Sequence, residues 1–453
     1  MKQNIIFLII DSLRSDKFHD TSKTSQTPTL DNLLKNGTYF EQTISSADAT
    51  ILSWSSIFTG KFPFKTGIRS SKFNKLSSKT QTLFDILKKQ NYHFYSYLPK
   101  LSETVGLFPE FENDDAYYDF YMGLTNGLGD KIIKKLCSNE LKEPYFLTIH
   151  SMDLHDPISV DEKFSNSDFG ENYYEQKISE LDFWLSKITK KIDFSNTILI
   201  LTSDHGCYIK SIRKNGKEIN FNINANIEKT TSKFTKKIPQ FLHPLKNKLF
   251  FAREKLQINK KKSIISKLDL KPHEKRALIA GRADKDHFLF DECLKVPLLI
   301  IGKNLPKNKK IPQQVRTVDI LPTVLDLIKL TSPLDIDGKS LLNLFTEKEF
   351  EENVAYIEST PLVLSESNDV IGIRTSEFKY FRDKNNPQKR IHLYSLKSDP
   401  LENNNIADVN DDQTIKCEQI LQNIINNFEN KNAEEDELNT EEIENELRKL
   451  GYV

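Results

Sequence analysis

The chain is poor in the features that staple, anchor or polarise a protein. Four cysteines, Cys137, Cys207, Cys293 and Cys417, are scattered through 453 residues, and no two stand in C-x-x-C spacing. That argues against a disulfide framework or a cysteine zinc site and fits a reducing compartment. No apolar run approaches the roughly 20 residues of a membrane span. The first such run, Ile5 to Ile10, is too short for a signal-peptide core and stops at an acid. A cytoplasmic protein is the expectation. Net charge is lacking too, since 64 basic residues balance 64 acidic ones, so no overall field is implied.

What is present is an ordinary globular composition, 38% hydrophobic and 28% charged. The length suffices for one large domain with an appendage, or for two domains. Residues 4–10 (NIIFLII) are a continuous apolar run, as in a central parallel strand. TPTLDNLLKNG reads as a helix, with Thr27 near its start, Pro28 in its first turn and Gly37 at its stop. TLFDILKKQNY continues as helix, HFYSYLP and YFLTIH as strands. YYEQKISELDFWLSKITKKI is an amphipathic helix with Ile178, Leu181, Leu185, Ile188 and Ile192 on one face. TILILTSDHG, VPLLIIG and the helix VDILPTVLDLIKL complete the series. This alternation predicts an α/β protein, a three-layer α/β/α sandwich around a mostly parallel sheet. Beyond about residue 350, NVAYIES, VIGIRT, FKYFRD and RIHLYSL predict a small antiparallel sheet, followed by an acidic tail of helical pattern. The domains expected are 1–345, carrying the chemistry, and 346–453.

In a parallel sheet, function gathers at the carboxyl ends of strands. Asp11 follows NIIFLII, Asp204 and His205 follow TILILTS, and Asp153 and His155 follow YFLTIH. Two carboxylates and an imidazole on adjacent strand ends suit a divalent metal, with Mn²⁺ or Zn²⁺ favoured by the nitrogen and Ca²⁺ or Mg²⁺ as alternatives. Each residue alone has a blander reading, as a turn, a cap or a hydrogen-bonded histidine.

Taken in order, the segments NIIFLIIDSLRSDKF, TPTLDNLLKNGTYFEQTIS, TILSWSSIFTGKFPFKTGIR, HSMDLHDP, ILTSDHG, LFDECLKVPLLI, VDILPTVLDL, IDGKSLLNLF, FKYF, LYSLKSDPLENNNIA and ELRKLGYV resemble the sulfatase branch of the alkaline phosphatase superfamily. The resemblance covers nearly the whole chain. Sulfatases carry C/S-x-P-S-R-x-x-x-x-T-G, whose first residue becomes formylglycine. Counting back from Thr59-Gly60 puts Thr50 there, with Leu52 for the proline, Ser53 retained and Trp54 for the arginine. Threonine is not a substrate for that modification, so the resemblance implies no formylglycine here.

Phosphoester-cleaving relatives use an unmodified threonine or serine as nucleophile, and metal coordination can activate such a hydroxyl. The family pattern further implies Asp11, Thr50, Asp204 and His205 at the metal, in a set like that of single-metal phosphodiesterase-like members. Ser12 stands where many sulfatases have a second aspartate. His155 resembles the histidine that assists the leaving group, and His287, with Lys285 as its competitor, is a further catalytic or substrate-binding candidate. Lys61, Arg69 and Asp153 are candidate substrate contacts. Thr50 also has a plain reading, as the N-cap of the helix after it.

Residues 208–285 interrupt the alternation and hold 21 lysines and arginines against six acids. With Phe241, Leu242, Leu249, Phe250 and Phe251 among the lysines, this insertion suggests contact with a membrane surface or polyanion. Charge pairing onto the acidic remainder is the alternative, and no nucleic-acid-binding motif is present. The expectation is a metal-dependent hydrolase or transferase of phosphate mono- or diesters, its anionic substrate glycan- or lipid-linked. A sulfuric ester hydrolase working without formylglycine, and an inactive binder of anionic glycans or lipid head groups, stand beside it.

Overall fold

Seven uncharged residues, Asn4–Ile10, form strand β1, which is buried along its whole length. A strand apolar on both faces must be covered on both, and β1 lies inside an eight-stranded sheet. The structure is a computed structural model that describes residues 2–68, 75–77, 79–103, 105–118, 121–138, 140–214, 217–220, 256, 258–280, 289–333, 335–346, 349–359 and 369–426. After β1 come β2 (Thr38–Ile44), β3 (His93–Pro99), β4 (Tyr117–Tyr118), β5 (Tyr145–Ser151) and β6 (Thr197–Thr202). A separate hairpin, β7 (Ser211–Lys214) and β8 (Lys217–Asn220), precedes β9 (Lys295–Ile301) and β10 (Lys309–Arg316). The sheet runs β10-β2-β9-β6-β1-β5-β3-β4. Its pairs are parallel except the two made by β9, with β2 and β6.

Side chains alternate across the sheet, so each face has its own helical cover. On one face Leu33, Ile132 and Leu185, from helices Pro28–Asn36, Leu128–Cys137 and Tyr173–Thr189, meet Ile6, Leu8 and Leu199. On the other, Phe58 of helix Thr50–Thr59 lies 5.3 Å from Phe7 and 5.1 Å from Phe84 of helix Leu83–Lys88. Helix Ile320–Leu327 packs beside Thr50–Thr59. The three expected layers are therefore present. The long helix stops at Thr189, and Ile192 packs against the core from the following turn.

The second sheet is an antiparallel meander of β11 (Ala355–Glu358), β12 (Val370–Arg374), β13 (Phe378–Asp383) and β14 (His392–Ser395), backed by helix Asp411–Asn426. Phe62 and Val318 join its core cluster, so the two parts of the chain share buried surface. They also share a buried ion cluster. Asp291 lies 2.5 Å from Lys379 and 2.8 Å from Arg374, and Lys379 lies 2.7 Å from Glu402. Burial opposes the charge on Asp291, but Arg374 and Lys379 outweigh it and hold the carboxyl well below the usual range.

Parts of the basic insertion are described. Beyond the β7–β8 hairpin, residues 258–265 are helical, as is Pro272–Ile279. Arg276 of the latter is buried, 2.8 Å from Glu292 and 3.6 Å from the centre of the Phe290 ring. This end of the insertion rests on the body by charge pairing. Phe241, Leu242, Leu249, Phe250 and Phe251, like the acidic tail 434–453, lie outside the described residues. Among the described residues no helix is long and apolar enough to cross a membrane.

Asp291→Ala leaves Lys379 and Arg374 buried without their shared carboxylate. Breaking a buried pair this way costs about 3–5 kcal/mol. The expected outcome is a matching fall in urea-unfolding free energy, followed by circular dichroism; an unchanged midpoint would remove Asp291 as the fastener between the sheets.

Candidate active site

Register brings the site residues together. Ile9 of β1 pairs with His150 of β5 on one side and with Thr202 of β6 on the other. Residues two apart share a face, so Asp11 and Asp204, just past those strands, arrive on the face that carries His150. This is the face covered by helix Thr50–Thr59. One ligand atom each from Asp11, Asp204 and His205 falls within 4.8 Å of the others, and all three residues are buried.

Hydrogen bonds aim these groups. Ser12, at a φ of 61°, turns the chain sharply, so that its Oγ donates to Asp11 at 2.6 Å and its N–H to Asp204 at 3.3 Å. Where a second aspartate might add charge, Ser12 orients the two acids already present. The His205 N–H donates to Asp204 at 2.9 Å, and its Nδ1–H donates to the Gly206 carbonyl at 2.8 Å. That tautomer leaves Nε2 as a lone-pair donor facing the carboxylates.

Helix Thr50–Thr59 is buried at all ten positions. Its N-cap is Ala49, not Thr50, and no side chain caps it. Thr50 is thus the first helical residue, and its hydroxyl is turned to the acids: Oγ1 lies 3.3 Å from Asp11 Oδ2 and 3.5 Å from His205 Nε2. The neighbouring hydroxyls are engaged elsewhere. Ser53 Oγ donates to the Ala47 carbonyl at 3.1 Å, and Ser45 Oγ to the Asp204 carbonyl at 2.5 Å. Trp54, at the place of the motif's arginine, sets its ring 4.7 Å from His150 at 84°.

The other candidates separate. His155 is buried, donates Nδ1–H to the Asp156 carbonyl at 2.8 Å, and is near enough for its charge to act on Asp11. Lys210, at the start of the insertion, pairs with Asp156 at 2.8 Å. Asp153 is occupied by the N–H groups of Leu124 and Thr125 and by the Ser151 and Thr125 hydroxyls, so it fastens the segment after Gly123 rather than facing a substrate. Lys61 also stands apart from Thr50. It follows the far end of helix Thr50–Thr59, roughly 15 Å from Thr50 at 1.5 Å per residue, and pairs with Asp335 at 2.9 Å. Arg69, Lys285 and His287 lie outside the described residues.

One residue was missed. His150 is fully buried, with Nε2 3.3 Å from Asp11 Oδ2 and 3.5 Å from Asp204 Oδ2. Its signal was its place at the end of YFLTIH. Burial lowers its pKa, but the two carboxylates outweigh that and carry it up to about 9. For Asp11, burial works against the charge, yet the contact with His150 and the nearby His155 and His205 hold it well below the carboxylate range.

The donor chemistry fits a divalent cation. Two carboxylates, an imidazole and a hydroxyl converge at a buried point, and neither His150 Nε2 nor Asp204 Oδ2 makes a hydrogen bond.

This fold and this strand-end site are those of a sulfatase-like protein. The chain belongs to the sulfatase family: residues 3–330 match the model described as Sulfatase, and residues 281–431 that described as N-sulphoglucosamine sulphohydrolase, C-terminal. Human arylsulfatase K is 22% identical over 460 residues, covering 93% of this chain and 82% of that protein. The mouse arylsulfatase K match, 30% identical over 144 residues, spans 30% of this chain and 26% of the mouse protein. Among solved structures, phosphonate monoester hydrolase of Agrobacterium radiobacter aligns with a TM-score of 0.64 at 16% identity, covering 94% of this chain and 96% of that one. A sulfatase of glycosaminoglycan metabolism in Bacteroides thetaiotaomicron aligns with a TM-score of 0.62 at 14% identity, covering 100% and 97%. The family is generally metal-dependent, in keeping with the triad of Asp11, Asp204 and His205.

The loop before Thr50 is held from behind by β11, where the Glu358 N–H donates to the Ser46 carbonyl at 3.0 Å. Burial raises the Glu358 carboxyl to about 7, against the lowering effects of Lys384 and the Tyr356 hydroxyl. The folded state therefore keeps a proton that the unfolded chain releases near its ordinary pKa of about 4.3. Stability contributed by that proton is full below the unfolded value and is lost as pH rises to about 7. Glu358→Gln should flatten this fall, seen as a smaller drop in melting temperature between acidic and neutral buffer. Parallel pH curves for both proteins would show that Glu358 does not titrate in this window.

Proposed function

We propose that this protein cleaves phosphate mono- or diesters, or transfers their phosphoryl group, with Thr50 Oγ1 as nucleophile. Asp11, Thr50, Asp204 and His205 would hold a divalent ion, Mn²⁺ or Zn²⁺ ahead of Ca²⁺ or Mg²⁺. The observation that carries the reading is the Thr50 hydroxyl itself, first in its helix and 3.3 Å from the Asp11 carboxylate. Threonine cannot become formylglycine, so the hydroxyl must act as it stands.

A divalent cation at this site supplies positive charge that eases ionisation of a hydroxyl and neutralises phosphoryl oxygens. The protein's own groups do the rest. Asp11 Oδ2 accepts the hydrogen bond from Thr50 and orients Oγ1, whose proton passes to solvent. Oγ1 then attacks phosphorus in line as the bond to the leaving oxygen breaks. His155, held through Nδ1 by the Asp156 carbonyl, delivers a proton to that oxygen. Water next attacks the phosphothreonine, phosphate departs and Thr50 regains its proton; an acceptor alcohol in place of water makes the reaction a transfer. The uncapped N-terminus of helix Thr50–Thr59 favours an anionic group beside Thr50.

A second reading is favoured by similarity to human arylsulfatase K across 93% of this chain: a sulfuric ester hydrolase using the same threonine. In either case the substrate is an anionic ester, and a glycan- or lipid-linked one suits the basic insertion.

The deciding experiment is intact mass spectrometry of the Mn²⁺-loaded protein after brief incubation with an aryl phosphate, an aryl phosphodiester and an aryl sulfate. A phosphate adduct mapped to Thr50 is expected, and turnover of the sulfate alone would favour the second reading. Thr50→Ala should retain the fold and its metal and lose at least about a thousand-fold in turnover. Activity within a few-fold of the parent would overturn Thr50 as nucleophile.

A further inference from the structure

We propose that His150 is an additional metal ligand, so that Asp11, His150, Asp204 and His205 form a two-nitrogen, two-carboxylate set selective for Mn²⁺ or Zn²⁺ over Ca²⁺ and Mg²⁺. This rests on the metal site proposed above and names a ligand beyond it.

The first observation is an unpartnered group. His150 is 0% exposed, and its Nε2 makes no hydrogen bond although Asp11 Oδ2 and Asp204 Oδ2 stand 3.3 and 3.5 Å away. Separations of this size are those of donor atoms sharing one small cation, since metal–ligand distances near 2.0–2.2 Å place neighbouring ligands roughly 3 Å apart. The Asp204 Oδ2 that faces it also lacks a hydrogen bond.

The second observation sets the tautomer. The Tyr118 hydroxyl donates its single hydrogen to the His150 carbonyl at 2.9 Å, and the same oxygen lies 3.2 Å from His150 Nδ1. With the phenol hydrogen committed, that contact is a hydrogen bond only if Nδ1–H donates to the phenol oxygen. Nε2 is then the nitrogen left facing the two carboxylate oxygens, where a divalent ion would take the place of a proton. The same logic holds at His205, where Nδ1–H donates to Gly206. An imidazole fixed through one nitrogen and presenting the other is how metal-binding histidines are held.

Charge and packing agree. Two carboxylates balance one divalent ion, and the imidazoles add donors without charge, which matters in a fully buried pocket. Ser12 supplies no carboxylate, and His150 fills the coordination that a further acid would otherwise supply. The Trp54 ring packs against the imidazole at 84°, 4.7 Å away, and fixes its plane. Nitrogen donors suit Mn²⁺ and Zn²⁺ and are poor partners for the oxygen-seeking Ca²⁺ and Mg²⁺.

The test uses the full chain, stripped with chelator and titrated calorimetrically with Mn²⁺, Zn²⁺ and Ca²⁺. Pulsed EPR of the Mn²⁺ form counts coordinated nitrogens. The parent should show two imidazole couplings and bind Mn²⁺ and Zn²⁺ more tightly than Ca²⁺. His150→Gln should lose one coupling and at least about ten-fold in Zn²⁺ affinity, with Ca²⁺ affinity little changed; His205→Gln should lose the other coupling. A single coupling in the parent overturns the proposal even if no variant folds, and so does parental Zn²⁺ affinity in His150→Gln. A parent that binds metal and carries the Thr50 adduct, yet shows one nitrogen, sinks this inference alone. A parent that binds none of the three ions sinks the metal site with it.

Discussion

Two carboxylates buried side by side dominate this molecule. Asp11 and Asp204 end neighbouring strands of a central sheet, both with no exposure to solvent. Leaving two like charges in such a place is strongly unfavourable unless cations and hydrogen bonds answer them. The surroundings read as that answer. Ser12 is bent into the left-handed region to bring two donors to them, the His205 N–H adds a third, and two imidazoles crowd the same oxygens. Orientation of the acids toward one point follows from these restraints.

The Ser/Thr-rich loop before helix Thr50–Thr59 serves the same end. Its many hydroxyls look interchangeable in sequence, but they divide by role. Ser45 and Ser53 knit the loop to itself and to the backbone of Asp204. With those bonds made, Thr50 alone of the three reaches Asp11 and His205. Leu52 and Trp54, at the places of the motif's proline and arginine, are both buried, and the Trp54 ring packs against His150.

The smaller sheet and the described end of the insertion are tied to the same frame. LFDECLKVP, which runs into β9, supplies Asp291 to Lys379 and Arg374 of the smaller sheet and Glu292 to Arg276 of the insertion. The insertion's other end enters beside the site, where Lys210 pairs with the loop of His155. Each end of this basic segment is thus met by a carboxylate of the body.

Strand and helix identities were legible because burial on both faces demands unbroken apolar runs, and NIIFLII and TILILT carry that demand openly. The acids Asp11 and Asp204, with His205, were legible for the same reason, as polar residues where such runs end; Thr50 was legible through its family frame. What sequence spacing could not supply is register. His150 sits inside a strand and reads as part of the run, and only the pairing of Ile9 with both His150 and Thr202 sets it beside the two acids. Asp153 and Lys61 have suitable chemistry, but the backbone N–H groups of Leu124 and Thr125 claim the first and the length of a helix carries the second away. Local sequence determined which residues could be chemical, through propensity and burial. Tertiary structure decided which of them meet, because meeting depends on strand neighbours far apart in the chain.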